Sequence, residues 1–299
     1  MDRFHLMAVY VAVAEEESFA GGARRLGMSP PAVTRAVASL EKRLGARLLT
    51  RTTRFVRTTD AGLRYLEHAR RIVAEADEAD EAVAGVNAAP RGQLSVTAPL
   101  MFGRMFVTPS LVEYLRRYPE MSLSATFLDR VVNLLEEGID VGVRIGELPD
   151  SSMKAIGVGH VRRVVCASPA YLKANGIPRA PADLAKHTVV AANPVSPSVD
   201  WKFFTGKKSA NIRLSPRLTV TSNEAAIVAA ADGFGITRPL SYQVAAFLAS
   251  GQLKAVLVDF EPPSLPIHVL HSEGRQVPAK VRTFVDLLVE RLRSDKALN

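Results

Sequence analysis

The sequence is poor in the residues and segments that would indicate an exported or membrane protein. It has one cysteine, Cys166, among 299 residues, which excludes an intrachain disulfide and gives no sign of an oxidising compartment. No uncharged run reaches the roughly 18 residues of a membrane span. The charged start Asp2-Arg3 is unlike a signal peptide. We therefore expect a cytoplasmic protein in which Cys166 is a buried, inert thiol.

Motifs for catalysis, metals and nucleotides are also missing. No Gly-x-Ser-x-Gly, His-Glu-x-x-His or Cys-x-x-Cys occurs, residues 206–209 lack the upstream glycine of a phosphate loop, and residues 233–235 lack the third glycine of a dinucleotide fingerprint. His268 and His271 lie three apart in a strand-like run and would point to opposite faces, which favours satisfied structural histidines. We expect no enzyme, no cofactor and no metal site.

Positive charge, by contrast, is concentrated in one segment. Residues 20–58 hold nine lysines and arginines against one acid, Glu41, so this segment accounts for the whole formal charge of +8. A charge excess confined to a short segment is typical of a nucleic-acid-binding domain joined to another domain, the alternative being a solvated helical face.

Local patterns in the first sixty residues predict three helices and a hairpin. Apolar residues at helical spacing predict a helix over 4–14 (Phe4, Met7, Ala8, Val11). Ser18 and Gly27 bracket a second helix. Ser29 before Pro30 predicts the start of a third, with the serine oxygen accepting an amide and a buried stripe of Val33, Val37, Leu40 and Leu44. Residues 47–57 predict two short strands around a basic turn, which is a wing.

The rest of the chain predicts a long helix and then an α/β domain. Thr59 caps a helix running to about Val86, and its apolar repeat predicts a dimer helix or, alternatively, packing on its own chain (Leu66, Ala69, Val73, Ala76, Val83). Residues 87–92 break that helix. Strands over 93–98, 122–128, 139–145, 163–167, 188–192 and 254–259 then alternate with helices over 102–118, 133–137, 223–231 and 281–292. Such alternation indicates an α/β sheet, here in two lobes with a cleft.

Taken together, the residues resemble the LysR-type transcriptional regulators over essentially the whole chain. The match is strongest between Phe4 and Gly62 (Ser18-Phe19, 23–29, 32–35, Leu40-Glu41, Leu44-Gly45, Arg51, Arg54, 59–62). The resemblance implies an N-terminal all-α winged helix-turn-helix plus a long linker helix, and a C-terminal α/β two-lobed periplasmic-binding-protein-like domain. The expected domains are 1–59, 60–88 and 91–299, the last with lobes of about 91–162 with 268–299 and about 163–267.

The implied function is a sequence-specific DNA-binding regulator whose operator binding or promoter activation responds to a small-molecule effector. The expected partners are double-stranded DNA, the effector, a second copy in a dimer or tetramer, and RNA polymerase if the protein is an activator, with no membrane. The expected DNA contacts are Ser29, Pro30, Pro31, Thr34, Arg35, Arg51 and Arg54. Pro30 stands where the family often has glutamine and removes a base-reading side chain, and Thr58 stands where leucine is usual.

For the effector, the resemblance implies a polar pocket at the ends of strands, near Thr97, Pro99, Leu100, Asp129, Arg144, Asn193, Thr221 and Asn223. A helix start at 99–102 and Arg144 favour an anionic or polar ligand group, whereas Asp129 opposes a dianion. Each residue could instead serve only the fold. The rival functions are an architectural DNA-binding protein without a ligand and, less well supported, a solute-binding protein or an enzyme.

Overall fold

The computed structural model describes residues 2–51, 56–84, 89–130, 133–134, 137–148, 153–192, 198–206, 208–272 and 277–298. The chain divides into two units, Met1–Ala88 and Ala89–Asn299. The first is helical with one small hairpin, and the second is α/β. This is the fold class that the sequence predicts.

The described residues of the first unit form four helices and a pair of antiparallel strands: α1 (Arg3–Glu15), α2 (Phe19–Arg25), α3 (Pro30–Leu44), β1 (Leu49–Arg51), β2 (Val56–Thr58) and α4 (Asp60–Ala84). Ser18 caps α2 as predicted, its hydroxyl accepting the Gly21 amide at 3.1 Å. Gly45 ends α3 in the left-handed conformation, with φ +65°. The hairpin pairs Leu49 with Thr58 and Arg51 with Val56.

The core of the first unit surrounds α1. The predicted single apolar face of α1 is too narrow, because Leu6, Val9, Tyr10 and Val13 are buried as well as Met7 and Val11. The reason is that α2, α3 and α4 all pack against α1. Val33, Val37 and Leu40 of α3 are fully buried as predicted, but Leu44 in its last turn is exposed.

The predicted dimer seam on α4 is wrong for its first half. Leu66 and Ala69 are buried in the core of their own unit, and Val73 packs against that core. This was the alternative that the sequence left open. The side chains of 77–84, including the predicted seam residue Val83, lie outside the described ones.

The second unit begins with an open five-stranded sheet in the order β4-β3-β5-β13-β6. Its strands are β3 (Gly92–Ala98), β4 (Met121–Phe127), β5 (Val141–Ile145), β6 (Met153–Val161) and β13 (Leu265–Ser272). β3 runs parallel to β4 and β5, while β13 is antiparallel to β5 and β6. The helices are α5 (Leu100–Phe102), a π-helical turn (Gly103–Val107), α6 (Thr108–Arg117) and the late helix α10 (Ala279–Ser294).

A second group of short strands follows β6. It comprises β7 (Val165–Ala167), α7 (Pro169–Asn175), β8 (Val190–Ala192), β9 (Val199–Thr205), β10 (Lys208–Leu214), β11 (Leu218–Val220), α8 (Asn223–Ala231), α9 (Ser241–Ala249) and β12 (Lys254–Val256). The segment 236–240 joins them, since Thr237 bridges to Cys166 and Ile236 to Val189. Short 3₁₀ turns lie at Pro181–Lys186, Val258–Phe260 and Lys296–Leu298.

Several predictions for this unit need correction. The strand predicted over 254–259 ends at Val256, and a 3₁₀ turn begins at Val258. Of the helix predicted over 133–137, Leu134 and Glu137 are in turn conformation, Asn133 has no regular structure, and 135–136 lie outside the described residues. His268 is not satisfied, because its buried Nδ1 has no hydrogen-bond partner among the described residues. Cys166 is buried as predicted, and burial raises its pKa to about 12.

Candidate DNA interface and effector site

The start of α3 lies where the sequence predicts it, but its N-cap differs from the prediction. Ser29 occupies the N-cap position, but its hydroxyl makes no capping hydrogen bond. Pro30 and Pro31 fill the first two helical positions and have no N–H to offer, and the first available amide, that of Ala32, donates to the Ser29 carbonyl at 2.9 Å. The exposed Ser29 hydroxyl is therefore left for another acceptor or donor outside the helix.

One face of α3 is open to solvent and free of bulky side chains. Pro31, Arg35 and Ala38 are exposed and lie on one stripe of the helix. Thr34 is half-buried, and its hydroxyl donates to the Pro30 carbonyl at 2.9 Å, which leaves its methyl group and an oxygen lone pair at the surface. A small surface beside one guanidinium can approach base edges in a major groove.

Glu15 fixes the helices that support this face. Its side chain is only 15% exposed, and its carboxylate accepts from Arg25 of α2 at 2.6 Å and from Arg70 of α4 at 2.7 Å. Close contact between α1 and α2 also requires Gly22, because a Cβ there would lie 2.8 Å from a methyl group of Val13. α3 is thus presented by helices that are held by both charge and packing.

Glu41, the one acid of the basic segment, joins α3 to the hairpin. Its Oε1 accepts the backbone amides of Leu48 at 2.8 Å and Leu49 at 3.1 Å, where the chain enters β1. Of the two arginines predicted for the wing, Arg51 is described only as the last residue of β1, and Arg54 lies outside the described residues.

Replacing Glu41 should loosen the hairpin. We expect Glu41→Ala to destabilise the first unit by about 1–3 kcal/mol, because two amides lose a charged acceptor. Glu67→Ala on the exposed surface of α4 is the matched control, since it makes the same change without that acceptor role. Thermal unfolding followed by circular dichroism measures both, and equal melting temperatures would contradict the role assigned to Glu41.

The segment from Thr59 to Gly62 ties α4 to the same place. The Thr59 hydroxyl donates to the Arg47 carbonyl at 2.8 Å and accepts the Gly62 amide at 2.9 Å, which confirms its predicted capping role. The Gly62 carbonyl accepts from the Tyr10 hydroxyl at 2.9 Å, and burial raises the pKa of Tyr10 to about 12. Gly62 is required because a Cβ would lie 2.0 Å from the Leu48 carbonyl oxygen.

In the second unit, four of the predicted effector residues meet at the carboxyl ends of β3 and β4. Thr97 is fully buried and its hydroxyl donates to the Thr126 carbonyl at 2.8 Å. Asp129 accepts the Leu100 amide at 3.0 Å, beside Pro99. Both polar groups therefore serve the fold, and the exposed surface here is that of Leu100 and Asp129.

Three of the remaining four predicted effector residues lie near the ends of other strands. Arg144 is half-buried near the end of β5, burial lowers its pKa, and it donates to the Val143 carbonyl at 3.0 Å. Thr221 is exposed after β11, and Asn223 is the first residue of α8. Asn193 lies outside the described residues.

Side chains connect these strand ends across the unit. Tyr242 of α9 contacts Phe102, with ring centroids 5.5 Å apart. Burial raises the pKa of Tyr242, and the negative charge of Asp129 raises it further. Arg104, just after α5, pairs with Glu224 of α8 at 2.9 Å. The strand ends of both halves of this unit therefore face a common region.

Sequence reasoning missed a pair of arginines in this unit. Arg238 lies over the rings of Trp201 and Phe203, 5.0 and 5.6 Å from their centroids, and donates to the Lys202 carbonyl at 3.1 Å. Burial and then the charge of Arg163 lower its pKa to about 9. Apolar and charged residues alternate over 199–203, and Gly206 follows, a pattern that could have indicated the strand that carries Trp201 and Phe203.

Among the described residues, no group of three potential metal ligands comes together, and no helix combines the length and the apolar character needed to cross a bilayer.

Comparison with known proteins identifies the family. Residues 4–63 match the family model "Bacterial regulatory helix-turn-helix protein, lysR family". Residues 87–293, more than half of the chain, match "LysR substrate binding domain". The chain belongs to the LysR family of transcriptional regulators. This LysR-type regulator thus has a DNA-binding unit and an effector-binding domain, and its family is one of regulators and not of enzymes.

Full-length relatives support the assignment. An HTH-type transcriptional regulator of Xanthomonas campestris is 35% identical over 291 residues, covering 96% of this chain and 85% of the relative. The structure of CrgA from Neisseria meningitidis is similar with a TM-score of 0.61 and 31% identity, covering 96% of this chain and 98% of CrgA. LysG from Corynebacterium glutamicum, whose structure contains the effector Arg, has a TM-score of 0.54 at 19% identity over 98% of each chain, which concerns the fold alone.

Proposed function

We propose that this LysR-type regulator reads its operator with the exposed face of α3. Ser29, Pro30, Pro31, Thr34 and Arg35 would lie against base edges or phosphates of the major groove, and Arg51 and Arg54 against the backbone or the adjacent minor groove. The observation that carries this proposal is the open stripe of Pro31, Arg35 and Ala38 on a helix held at its other face by a fully buried row. Because its ligand is genomic DNA, we place the protein in the cytoplasm.

Pro30 and Pro31 shape how this helix would contact DNA. They remove two of the amides that a helix start commonly offers to phosphates, so the side chains of Ser29, Thr34 and Arg35 must supply the hydrogen bonds. A gel mobility-shift titration against fragments from upstream of the neighbouring genes, with an unrelated fragment as competitor, tests specific binding. Equal affinity for all fragments would instead favour an architectural DNA-binding protein.

We further propose that a small molecule bound in the second unit alters operator binding or promoter activation. The region between the carboxyl ends of the strands is the place for it, bounded by Pro99, Leu100, Asp129, Arg144, Asn193, Thr221 and Asn223 and underlain by Thr97. The proposed domains are 1–59, 60–88 and 91–299, with the last in two lobes. A ligand that binds only the folded protein raises its melting temperature, so a metabolite screen by thermal shift tests this proposal.

Self-association through α4 is the third proposal, as a dimer or a dimer of dimers. Ile72 is 39% exposed, and Ala76, Ala79 and Val83 follow it in the sequence at helical spacing. Leu63, 52% exposed, lies about half a turn away on the helix and is followed by charged residues. The stripe that begins at Ile72 is therefore the one suited to a second copy, and an activator would also contact RNA polymerase.

Ile72→Glu should weaken this association. We expect the dissociation constant of the dimer to rise at least about tenfold, because burying an isoleucine contributes about 1.5–3 kcal/mol. Leu63→Glu introduces the same charge at the other side of the helix and should leave the constant unchanged. Sedimentation equilibrium at several protein concentrations measures both variants, and an unaltered Ile72→Glu dimer would contradict the proposed seam.

A further inference from the structure

Arg163 and Arg238 form a cationic pair at one edge of the second group of strands. Arg163 precedes β7 and bridges through its backbone to Leu240, while Arg238 follows Thr237, which bridges to Cys166 of β7. These backbone pairings bring two residues that are distant in sequence to diagonal positions on neighbouring segments, since Arg163 lies opposite Leu240, two residues from Arg238. Their charges interact, since Arg163 contributes to the lowered pKa of Arg238.

Neither guanidinium is neutralised within the described part of the chain. Arg162, the residue before Arg163, pairs with Glu261 at 2.6 Å. Arg163 and Arg238 have no carboxylate within ion-pair distance among the described residues, and Arg238 donates only to the Lys202 carbonyl. Like charges brought together out of bulk water raise the free energy of the protein unless an anion compensates them.

The two arginines differ in how far they are exposed to solvent. Protein atoms crowd Arg163 enough for burial to lower its pKa, yet the residue remains exposed to solvent. Arg238 is partly buried and rests on Trp201 and Phe203. A guanidinium stacked on an aromatic face is held in one plane, and its free N–H groups project from the edge of that plane.

We propose that Arg163 and Arg238 together bind the carboxylate of a small organic effector, with Trp201 as the floor beneath Arg238. The inference rests on the proposed function, because it assigns a ligand class to the effector-binding domain. A carboxylate fits because two planar forks can each present parallel N–H groups to its planar pair of oxygens. The pair also precedes α9, whose Tyr242 packs edge-on against Phe102 with ring centroids 5.5 Å apart.

The protein contains its own probe for this site. Trp201 is the one tryptophan of the sequence, so the tryptophan emission of the full chain reports on the floor under Arg238. We would titrate the full chain with acetate, succinate and benzoate, with their neutral amides, and with inorganic phosphate, all at constant ionic strength. Melting temperatures from the same titrations give a second measure of binding.

Three variants make the titration specific. Arg163→Gln removes one charge, and Arg238→Lys keeps the charge but loses the fork and the stacking. Arg217→Gln is the matched control, because Arg217 is exposed and also lies over an aromatic ring, but over that of Phe234 at 5.5 Å and not over Trp201. Should Arg238→Lys fail to fold, the exposed Arg163→Gln carries the test alone.

At least one carboxylate should change the Trp201 emission and raise the melting temperature, whereas its amide does neither. Its affinity should fall about tenfold or more in Arg163→Gln and Arg238→Lys and stay unchanged in Arg217→Gln. No response to any carboxylate, equal responses in all variants, or a stronger response to phosphate than to every carboxylate would overturn the proposal. DNA binding is measured on the same samples. If the protein binds DNA but responds to no carboxylate, this inference alone is overturned. If the protein does not bind DNA, the proposed function is contradicted separately.

Discussion

Gly62→Ala is expected to destabilise the DNA-binding unit by about 3 kcal/mol or more, because the added methyl group has no room. The added Cβ would lie 2.0 Å from the Leu48 carbonyl oxygen and 3.0 Å from the Tyr10 hydroxyl. These atoms cannot simply move aside, because the Leu48 carbonyl also accepts the Thr59 amide at 2.9 Å and Tyr10 is fully buried. The contact between α4 and the hairpin should therefore separate.

The two units allow this prediction to be checked within one molecule. Circular dichroism follows the helices of both units during denaturation, whereas tryptophan emission follows only the second, since Trp201 is the one tryptophan. Gly62→Ala should shift the first signal and leave the second in place. Gly157→Ala is the control, because a Cβ at Gly157 meets no atom within 4 Å. If both transitions of Gly62→Ala stay where they are in the wild-type protein, the close approach of Gly62 to Leu48 is contradicted.

Arg35→Ala should weaken operator binding by about 1–3 kcal/mol, or roughly tenfold to hundredfold, if its guanidinium contacts a base. The residue is exposed on the open face of α3, so its removal should leave stability nearly unchanged. Arg116→Ala, an exposed arginine of α6, removes the same charge outside the DNA-binding unit and controls for net electrostatic attraction. Mobility-shift titrations at fixed salt compare the three proteins, and equal affinities for Arg35→Ala and Arg116→Ala would reject the base contact.

The elements with strong local patterns were predictable from the sequence. α8 begins at Asn223 and ends at Ala231 as expected, and β3 starts within one residue of its predicted position. The start of α8 is marked by Ser222, whose hydroxyl accepts the Ala225 amide at 3.2 Å, and β3 has buried Leu94 and Val96 two residues apart. The buried row of α3 was correct up to Leu40 for the same reason.

What could not be predicted depends on contacts between distant segments. Ser29 looked like a side-chain cap, but Pro31 has no amide to donate and the Ala32 amide donates to the Ser29 carbonyl instead. Leu66 had the spacing of a dimer seam, and only the packing of α4 on α1 shows that it belongs to its own core. Arg163 and Arg238 carry no local signal at all, because it is the pairing of Thr237 with Cys166 that brings them together.

Selection from random-sequence DNA is the most direct test of the claim that α3 reads a specific operator. The full-length protein should enrich a near-palindromic motif, as expected of two DNA-binding units in a dimer. Arg35→Ala should lose sequence preference at symmetric positions of that motif while retaining the others. Enrichment of no motif by the wild-type protein, or of an identical motif by Arg35→Ala, would contradict the account.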